Sequence, residues 1–264
     1  MQFITSVKNP IVKEMKSLNQ KNKRRQAGYF LIEGEKMLGE ALSSGCTIGT
    51  VLISEQKPLS PALEQQLKDQ GAHLFAVSDH VLQTVCDTET PQGSVASCSF
   101  RPEPAQWGSR CIYLDGLQDP GNMGTILRTA DAMGIDLVIA AGCVDVYNPK
   151  VVRSTMGSLF RQQVLVTDQD TEILQQMRKD GWRVLSSVLD AAAQPLPQAD
   201  LTGKVCIVIG NEGRGVSQQV LACSDGTVYI PMRGGAESLN AGIAAGIFMW
   251  ELSCSAANEK GERK

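Results

Sequence analysis

The sequence predicts an α/β fold in two domains with largely parallel strands. Apolar runs of strand length alternate with amphipathic helical stretches along the chain. An extended stretch between Arg101 and Ser109 interrupts that alternation, and three later strands end in glycine-containing loops that run straight into helices. With 264 residues, 42% of them hydrophobic and 20% charged, the chain can bury the core of one large or two ordinary domains.

Strands are expected first near Tyr29–Ile32, Thr50–Ile53, His73–Ala76 and Ser94–Ser99, with helices between them. The helix over Glu35–Ser44 places Met37, Leu38, Ala41 and Leu42 on one stripe and stops at Gly45, a residue that tolerates positive φ. Arg101-Pro-Glu-Pro-Ala-Gln-Trp-Gly-Ser109 has two prolines, a glycine and no periodicity. It reads as a linker, dividing the chain into domains 1–100 and 110–264 joined by 101–109. Strands resume near Cys111–Leu114, Leu137–Ala140, Gln163–Val166, Arg183–Ser186, Val205–Ile209 and Thr227–Pro231. The helix Thr171–Lys179 has an acidic start and ends on Arg178, Lys179 and Gly181, as the helix dipole and C-cap prefer. A helix over Leu239–Leu252 is followed by a small, polar tail, Ser255–Lys264, expected to fray.

No apolar run approaches the roughly 20 residues that span a bilayer, and MQFITSVKNP at the start lacks the apolar core of a secretory signal. A cytoplasmic location with no membrane association is expected. The eight cysteines never fall into close metal-ligand spacing and there are two histidines, so no metal is expected and the thiols read as small buried hydrophobes. Net charge is −3 and the pI about 5.5, which by itself argues for no polyanionic partner. The distribution differs from the sum: residues 1–27 hold Lys8, Lys13, Lys16, Lys21, Lys23, Arg24 and Arg25 against Glu14 alone. A local basic patch binds phosphates even on an acidic protein; a solvated helical face explains the same charges.

The first chemical loop, Asp119-Pro-Gly-Asn-Met-Gly-Thr-Ile-Leu-Arg-Thr-Ala130, puts Asn122 on a strand-to-helix turn and Arg128 further along the helix. Both can approach one site at the carboxyl end of the strands, where open α/β sheets bind ligands. The second, Ile209-Gly-Asn-Glu-Gly-Arg-Gly-Val-Ser217, fits neither a dinucleotide fingerprint nor a P-loop. Its glycines let backbone approach a ligand, and Glu212 would repel a pyrophosphate, so a ligand without phosphates suits it. The third, Ile230-Pro-Met-Arg-Gly-Gly-Ala-Glu-Ser-Leu-Asn240, enters an Ala- and Gly-rich helix that Ser238 or Asn240 can cap. Each loop alone is equally well explained as a turn.

Together, Gly-Asn-x-Gly-x-x-x-Arg-Thr-Ala-Asp-Ala-x-Gly, Val-Ile-Gly-Asn-Glu-Gly-x-Gly-Val-Ser and Ile-Pro-Met-x-Gly-x-x-Glu-Ser-Leu-Asn resemble, in order and separation, the SpoU/TrmH family of RNA 2′-O-ribose methyltransferases over residues 110–253. Residues 1–99, with Phe30-Leu-Ile-Glu-Gly-Glu-Lys36, resemble that family's N-terminal RNA-binding domain of the L30e ribosomal-protein type. The resemblance implies a small L30e-like α/β domain followed by a SPOUT α/β domain with a trefoil knot, bound S-adenosylmethionine, and a homodimer formed through the C-terminal domain. It places Asn122, Arg128, Glu212, Ser238 and Asn240 in the catalytic set. Ser187, Ile209, Gly210, Asn211, Gly213, Ile230, Met232, Ser238 and Leu239 form the cofactor set, and Lys21, Lys23, Arg24, Arg25 and Arg128 the RNA-binding set. Ala241-Gly242 departs from the commoner Val-Ser after Ser-Leu-Asn.

The family mechanism gives the ribose proton to the arginine, here Arg128. A guanidinium does not deprotonate in ordinary protein surroundings. The preferred expectation is that Arg128 fixes a phosphate and stabilises the developing alkoxide, with Glu212, Asn122 or a water assisting. The expected substrate is large-subunit ribosomal RNA, by resemblance. A tRNA substrate, a non-catalytic ribosome-assembly factor and a nicotinamide oxidoreductase are the alternatives; the last lacks the glycine fingerprint.

Overall fold

The computed structural model describes residues 1–168, 171–190 and 192–259. From the N-terminus the elements are β1 (Gln2–Ile4), α1 (Pro10–Ser17), α2 (Lys21–Ala27), β2 (Tyr29–Glu33), α3 (Glu35–Ser43), β3 (Ile48–Ser54), α4 (Pro61–Asp69), β4 (His73–Val77), α5 (Asp79–Val85) and β5 (Ser94–Ser99). There follow β6 (Arg110–Asp115), α6 (Pro120–Met133), β7 (Leu137–Ala141), α7 (Pro149–Ser154), β8 (Val164–Thr167), α8 (Glu172–Lys179) and β9 (Arg183–Ser187). The last are β10 (Gln194–Pro195), β11 (Val205–Ile209), α9 (Gln218–Ala222), β12 (Gly226–Tyr229) and α10 (Ala241–Glu259).

The chain forms two compact units, Met1–Pro102 with Tyr147–Arg161, and Glu103–Val146 with Gln162–Lys264. The first holds a five-stranded sheet in the order β1-β4-β3-β5-β2. Its strands are less parallel than the alternation suggested, since β5 lies antiparallel between β3 and β2. An apolar run does not encode strand direction. One face buries Leu31, Leu52 and Val95 against Val12 and Met15 of α1 and Val81, Leu82 and Val85 of α5. Segment 147–161, read from the sequence as part of the second domain, belongs here because of its aromatics. Tyr147 stacks on Phe100 with centroids 4.1 Å apart, and Phe160 lies 6.4 Å from Phe30.

The second unit holds a seven-stranded sheet, β10-β12-β9-β11-β6-β7-β8, parallel at every pairing. Val205–Ile209 and Leu137–Ala141 are buried throughout, which is why they read as unbroken apolar runs rather than alternating ones. One face buries Tyr113, Ile139, Val184 and Val208 against Leu174 and Met177 of α8 and Val220 of α9. Helices α6 and α10 pack on each other. Their contact uses small residues: a methyl at Gly242 would lie 3.3 Å from Thr125 Cγ2, and one at Gly246 3.8 Å from Thr129 Cγ2. The Ala241-Gly242 departure therefore sits at a helix contact inside the unit.

Arg110, 5% exposed, ties the start of β6 to α10: its Nε donates to the Leu252 carbonyl (3.0 Å) and its Nη1 to that of Gly203 (3.2 Å). Helix α10 continues through Ser255 to Glu259 instead of fraying there; the rest of that tail, 260–264, lies outside the described residues. Among the described residues no helix is long and apolar enough to cross a membrane. All eight cysteines are free thiols, and Cys46, Cys98, Cys111, Cys206 and Cys223 are buried.

Candidate active site

Because every strand of the second sheet runs the same way, the loops after β6, β9, β11 and β12 emerge along one edge. The strand order β12-β9-β11-β6 places them side by side there. Each loop is shaped locally before it meets its neighbours. Asp119 caps α6 by accepting from the Asn122 amide (2.7 Å), with Pro120 in the first helical turn. In the loop after β11, Asn211 and Gly215 exchange backbone hydrogen bonds of 2.9 Å in each direction. Asn211 Oδ1 accepts from Gly213 and Arg214 (3.0 and 3.1 Å), and its Nδ2 donates to the Gly116 carbonyl (2.8 Å). A methyl on Gly210 would lie 2.2 Å from the Gly215 carbonyl carbon and 2.3 Å from Val216 N. Glycine is required there because the loop folds back on itself.

A line of side-chain amides joins the three loops. Asn240 caps α10, its Oδ1 accepting from Gly242 N (2.9 Å) and Ile243 N (3.2 Å). Its Nδ2 donates to Asn122 Oδ1 (2.9 Å), and Asn122 Nδ2 donates to Glu212 Oε1 (3.1 Å). Glu212 also accepts from Asp119 N (3.0 Å) and Gln118 N (3.2 Å). Partial burial pushes the Glu212 carboxyl up, but hydrogen bonds from its own amide, Asp119, Asn122 and Gln118 outweigh this and hold it below the usual carboxylate value. Its geometry is that of a clasp, and it makes Glu212 a poor proton acceptor.

Beside the clasp opens a cavity of about 690 Å³. All of Ser187, Ile209, Gly210, Asn211, Gly213, Ile230, Met232, Ser238 and Leu239 line it, as do Glu212 and Asn240. Sequence reasoning missed Val188, Leu189, Arg214, Gly215, Val216, Val228, Tyr229, Ala241, Ala244 and Phe248 in its lining. Val188 and Leu189 follow Ser187 at a strand end, a signal that was present, whereas Phe248 reads only as a helix core residue. Among the described residues, nothing from Ile230 to Leu239 makes a hydrogen bond or ion pair. That loop presents unpartnered peptide groups beside the buried apolar Ile209, Val228 and Phe248.

Ser238 is exposed and does not cap α10; Asn240 does. Arg128 is exposed on α6, outside the cavity lining, with no side-chain hydrogen bond or ion pair among the described residues. In the first unit Lys21, Lys23 and Arg25 are exposed on α2, but Arg24 is not part of that surface. It is 2% exposed and donates through Nη1 to the Leu18 carbonyl (2.8 Å), because α2 turns that position inward. Among the described residues no group of three or more His, Cys, Asp and Glu is placed to hold a metal ion.

Comparison with known proteins joins these observations. A model of the SpoU rRNA Methylase family matches residues 109–250, and one of the MRM3-like substrate binding domain matches residues 9–96. The 23S rRNA (guanosine(2553)-2′-O)-methyltransferase RlmP of Bacillus subtilis is 34% identical, over 96% of this chain and 99% of its own. The AdoMet-bound rRNA methyltransferase from Sinorhizobium meliloti matches with TM-score 0.85 and 31% identity, covering 95% of this chain and 97% of that one. For the SpoU methyltransferase AviRb from Streptomyces viridochromogenes, in complex with AdoMet, the TM-score is 0.84 and the identity 29%, covering 94% and 98%. With the family model matching residues 109–250 and a relative 34% identical over nearly the full length of both chains, this chain belongs to the SpoU rRNA methylase family.

Proposed function

We propose that this protein transfers a methyl group from S-adenosylmethionine to a ribose 2′-hydroxyl of large-subunit ribosomal RNA. The observation that carries this is the convergence on one cavity of a nucleoside-sized space, apolar walls, an unbonded backbone loop and the Glu212–Asn122–Asn240 clasp. Ile209, Val228 and Phe248 with the peptide groups of 230–239 fit a nucleoside, and the amide-saturated Glu212 beside them disfavours a pyrophosphate. Ser187, Gly210, Ile230 and Leu239 would hold the cofactor.

Bound S-adenosylmethionine supplies an electrophilic methyl on a sulfonium. The chain's own part is orientation and charge. Arg128 stays cationic, fixes an RNA phosphate and stabilises the hydroxyl oxygen as it loses its proton. Glu212 holds the loops rather than taking that proton, which passes to solvent at the open mouth. Replacing Arg128 by Ala should lower kcat by about 10²–10³-fold while calorimetry shows cofactor binding unchanged; retained turnover would count against the role.

The same reading makes the N-terminal unit the RNA-recognition part, through Lys21, Lys23 and Arg25, and places the enzyme in the cytoplasm with the ribosomes. It extends to a trefoil-knotted C-terminal domain and a homodimer. Placement of β11 between β6 and β9, with Arg110 fastened to α10, supports the knot; apolar Ile243 and Trp250 exposed on α10 support the dimer. Calorimetry with S-adenosylmethionine and with NAD should show binding of the first alone. Mapping 2′-O-methyl sites in total RNA with and without the gene should show one mark missing from large-subunit rRNA; a complete set of marks would refute the assignment.

A further inference from the structure

Three of the six described arginines of the second unit, Arg110, Arg178 and Arg183, are engaged in holding it together. Arg110 donates to Leu252, Gly203 and Ser109; Arg178 reaches Asp225 through Nε (2.8 Å) and Nη2 (2.7 Å); Arg183 pairs with Asp200 (2.7 Å). Arg128, Arg214 and Arg233 differ. All three are exposed, and among the described residues none has a side-chain hydrogen bond or ion pair. Each sits on a different one of the three loop-helix segments, those of Arg214 and Arg233 lining the cavity and that of Arg128 joined to them through Asn122.

Arg214 lines the cavity itself, and its backbone amide is pinned by Asn211 Oδ1 at 3.1 Å. The backbone at this position is therefore held while the guanidinium is left open. Arg233 stands between Met232, which lines the cavity, and Gly234, which lines an adjoining hollow of about 380 Å³. None of the nearby acids is paired with either guanidinium: Glu212 accepts from three loop donors, Asp119 from the Asn122 amide and Asp190 from Ala192, and Glu237 makes no ion pair among the described residues. A guanidinium presents a planar fork that matches phosphate in two-point geometry. On a protein of net charge −3, two uncommitted forks at one rim are free to take an anionic ligand.

We propose that Arg214 and Arg233 bind backbone phosphates of the RNA flanking the target nucleotide, one on each side of the cavity mouth. This rests on the methyltransferase reading, since it takes the cavity to be the place where the target ribose arrives. Together with Arg128 they make substrate positioning a property of the catalytic domain as well as of α2. The competing use of the same chemistry is to hold the carboxylate of the cofactor's amino-acid portion, and the experiment separates the two.

The test uses full-length protein and unmodified large-subunit rRNA transcribed in vitro. R214Q, R233Q and the double variant are compared with wild type and with K179Q, an exposed lysine on α8 remote from the loops in sequence. Each single variant should weaken RNA binding about 10-fold and lower the slope of log affinity against log salt by about 0.7. The double variant should lower the slope by about twice that, while K179Q matches wild type. Affinity for S-adenosylmethionine by calorimetry should be unchanged in all of them, which also reports that the variants are folded. Unchanged RNA affinity and slope would overturn the proposal, as would loss of S-adenosylmethionine binding with RNA binding intact. Should wild type transfer no methyl group to any RNA, the methyltransferase reading fails, and the binding comparison still decides whether the two arginines hold phosphate.

Discussion

Asn122 has little freedom to be anything but a link. Asn240 Oδ1 is taken by the amides of Gly242 and Ile243, so its Nδ2 must donate, and Asn122 must then present oxygen to Asn240 and nitrogen to Glu212. Glu212 closes the line as an anion. Its folded-state pKa is depressed, so its contribution to stability is fully present above the unfolded value of about 4.3 and is lost as pH falls through the lower folded value. The pH–rate profile above pH of about 5.5 should therefore carry no limb from Glu212, and E212Q should leave the profile's shape unchanged while lowering kcat/KM. A limb near neutrality that disappears in E212Q would show that Glu212 is the base. On α2, neighbouring arginines should behave oppositely. Arg24→Ala removes a buried donor from the Leu18 carbonyl and should cost about 1–3 kcal/mol in a denaturant melt; Arg25→Ala should leave the melt alone and reduce the salt dependence of RNA binding.

The glycine-rich loop after β11 illustrates what an element needs. Gly210→Ala would force its methyl into the backbone of Gly215 and Val216, so the loop must open, Glu212 moves with it, and cofactor binding should be lost along with about 1–3 kcal/mol of stability. Gly234→Ala meets nothing within 4 Å and should bind cofactor like wild type. Equal effects from the two would mean that loop closure is not what Gly210 supplies. The pattern of residues showed that this loop mattered and suggested ligand approach; the closure on Gly215 and Val216 was not legible, because that contact depends on how the loop folds. Elements with unbroken apolar runs, such as Val205–Ile209, were legible because burial on both faces leaves one chemical signature. Strands of two or three residues, Gln2–Ile4 and Gln194–Pro195, were not, since nothing in so short a run distinguishes an edge strand from a loop. Eight of the nine cofactor candidates were legible through motif order and Ser187 through the family resemblance, and all nine line one cavity; the inward turn of Arg24 and the aromatic packing of 147–161 were not, being set by partners distant in sequence.

At the scale of the whole molecule, α10 is the element whose two faces have different work. Ala245, Phe248, Met249 and Leu252 are buried, as is Gly242 against α6. Turned away from them, Ile243 is 57% exposed and Trp250 56%, with the half-buried Ile247 between them at helical spacing. A hydrophobic stripe of this kind left to water favours association, and a second copy offering the same stripe gives an isologous interface. The wild-type protein should therefore run in light scattering at twice its 28.4 kDa, and Ile243→Lys with Trp250→Lys should run at 28.4 kDa. Because Leu239 and Asn240 lead directly into α10 and line the cavity, freeing that helix should also loosen the third loop and weaken cofactor binding. A wild type that is monomeric at micromolar concentration would sink the dimer. A monomeric double variant that binds cofactor as tightly as wild type would show instead that the cavity is complete within one chain.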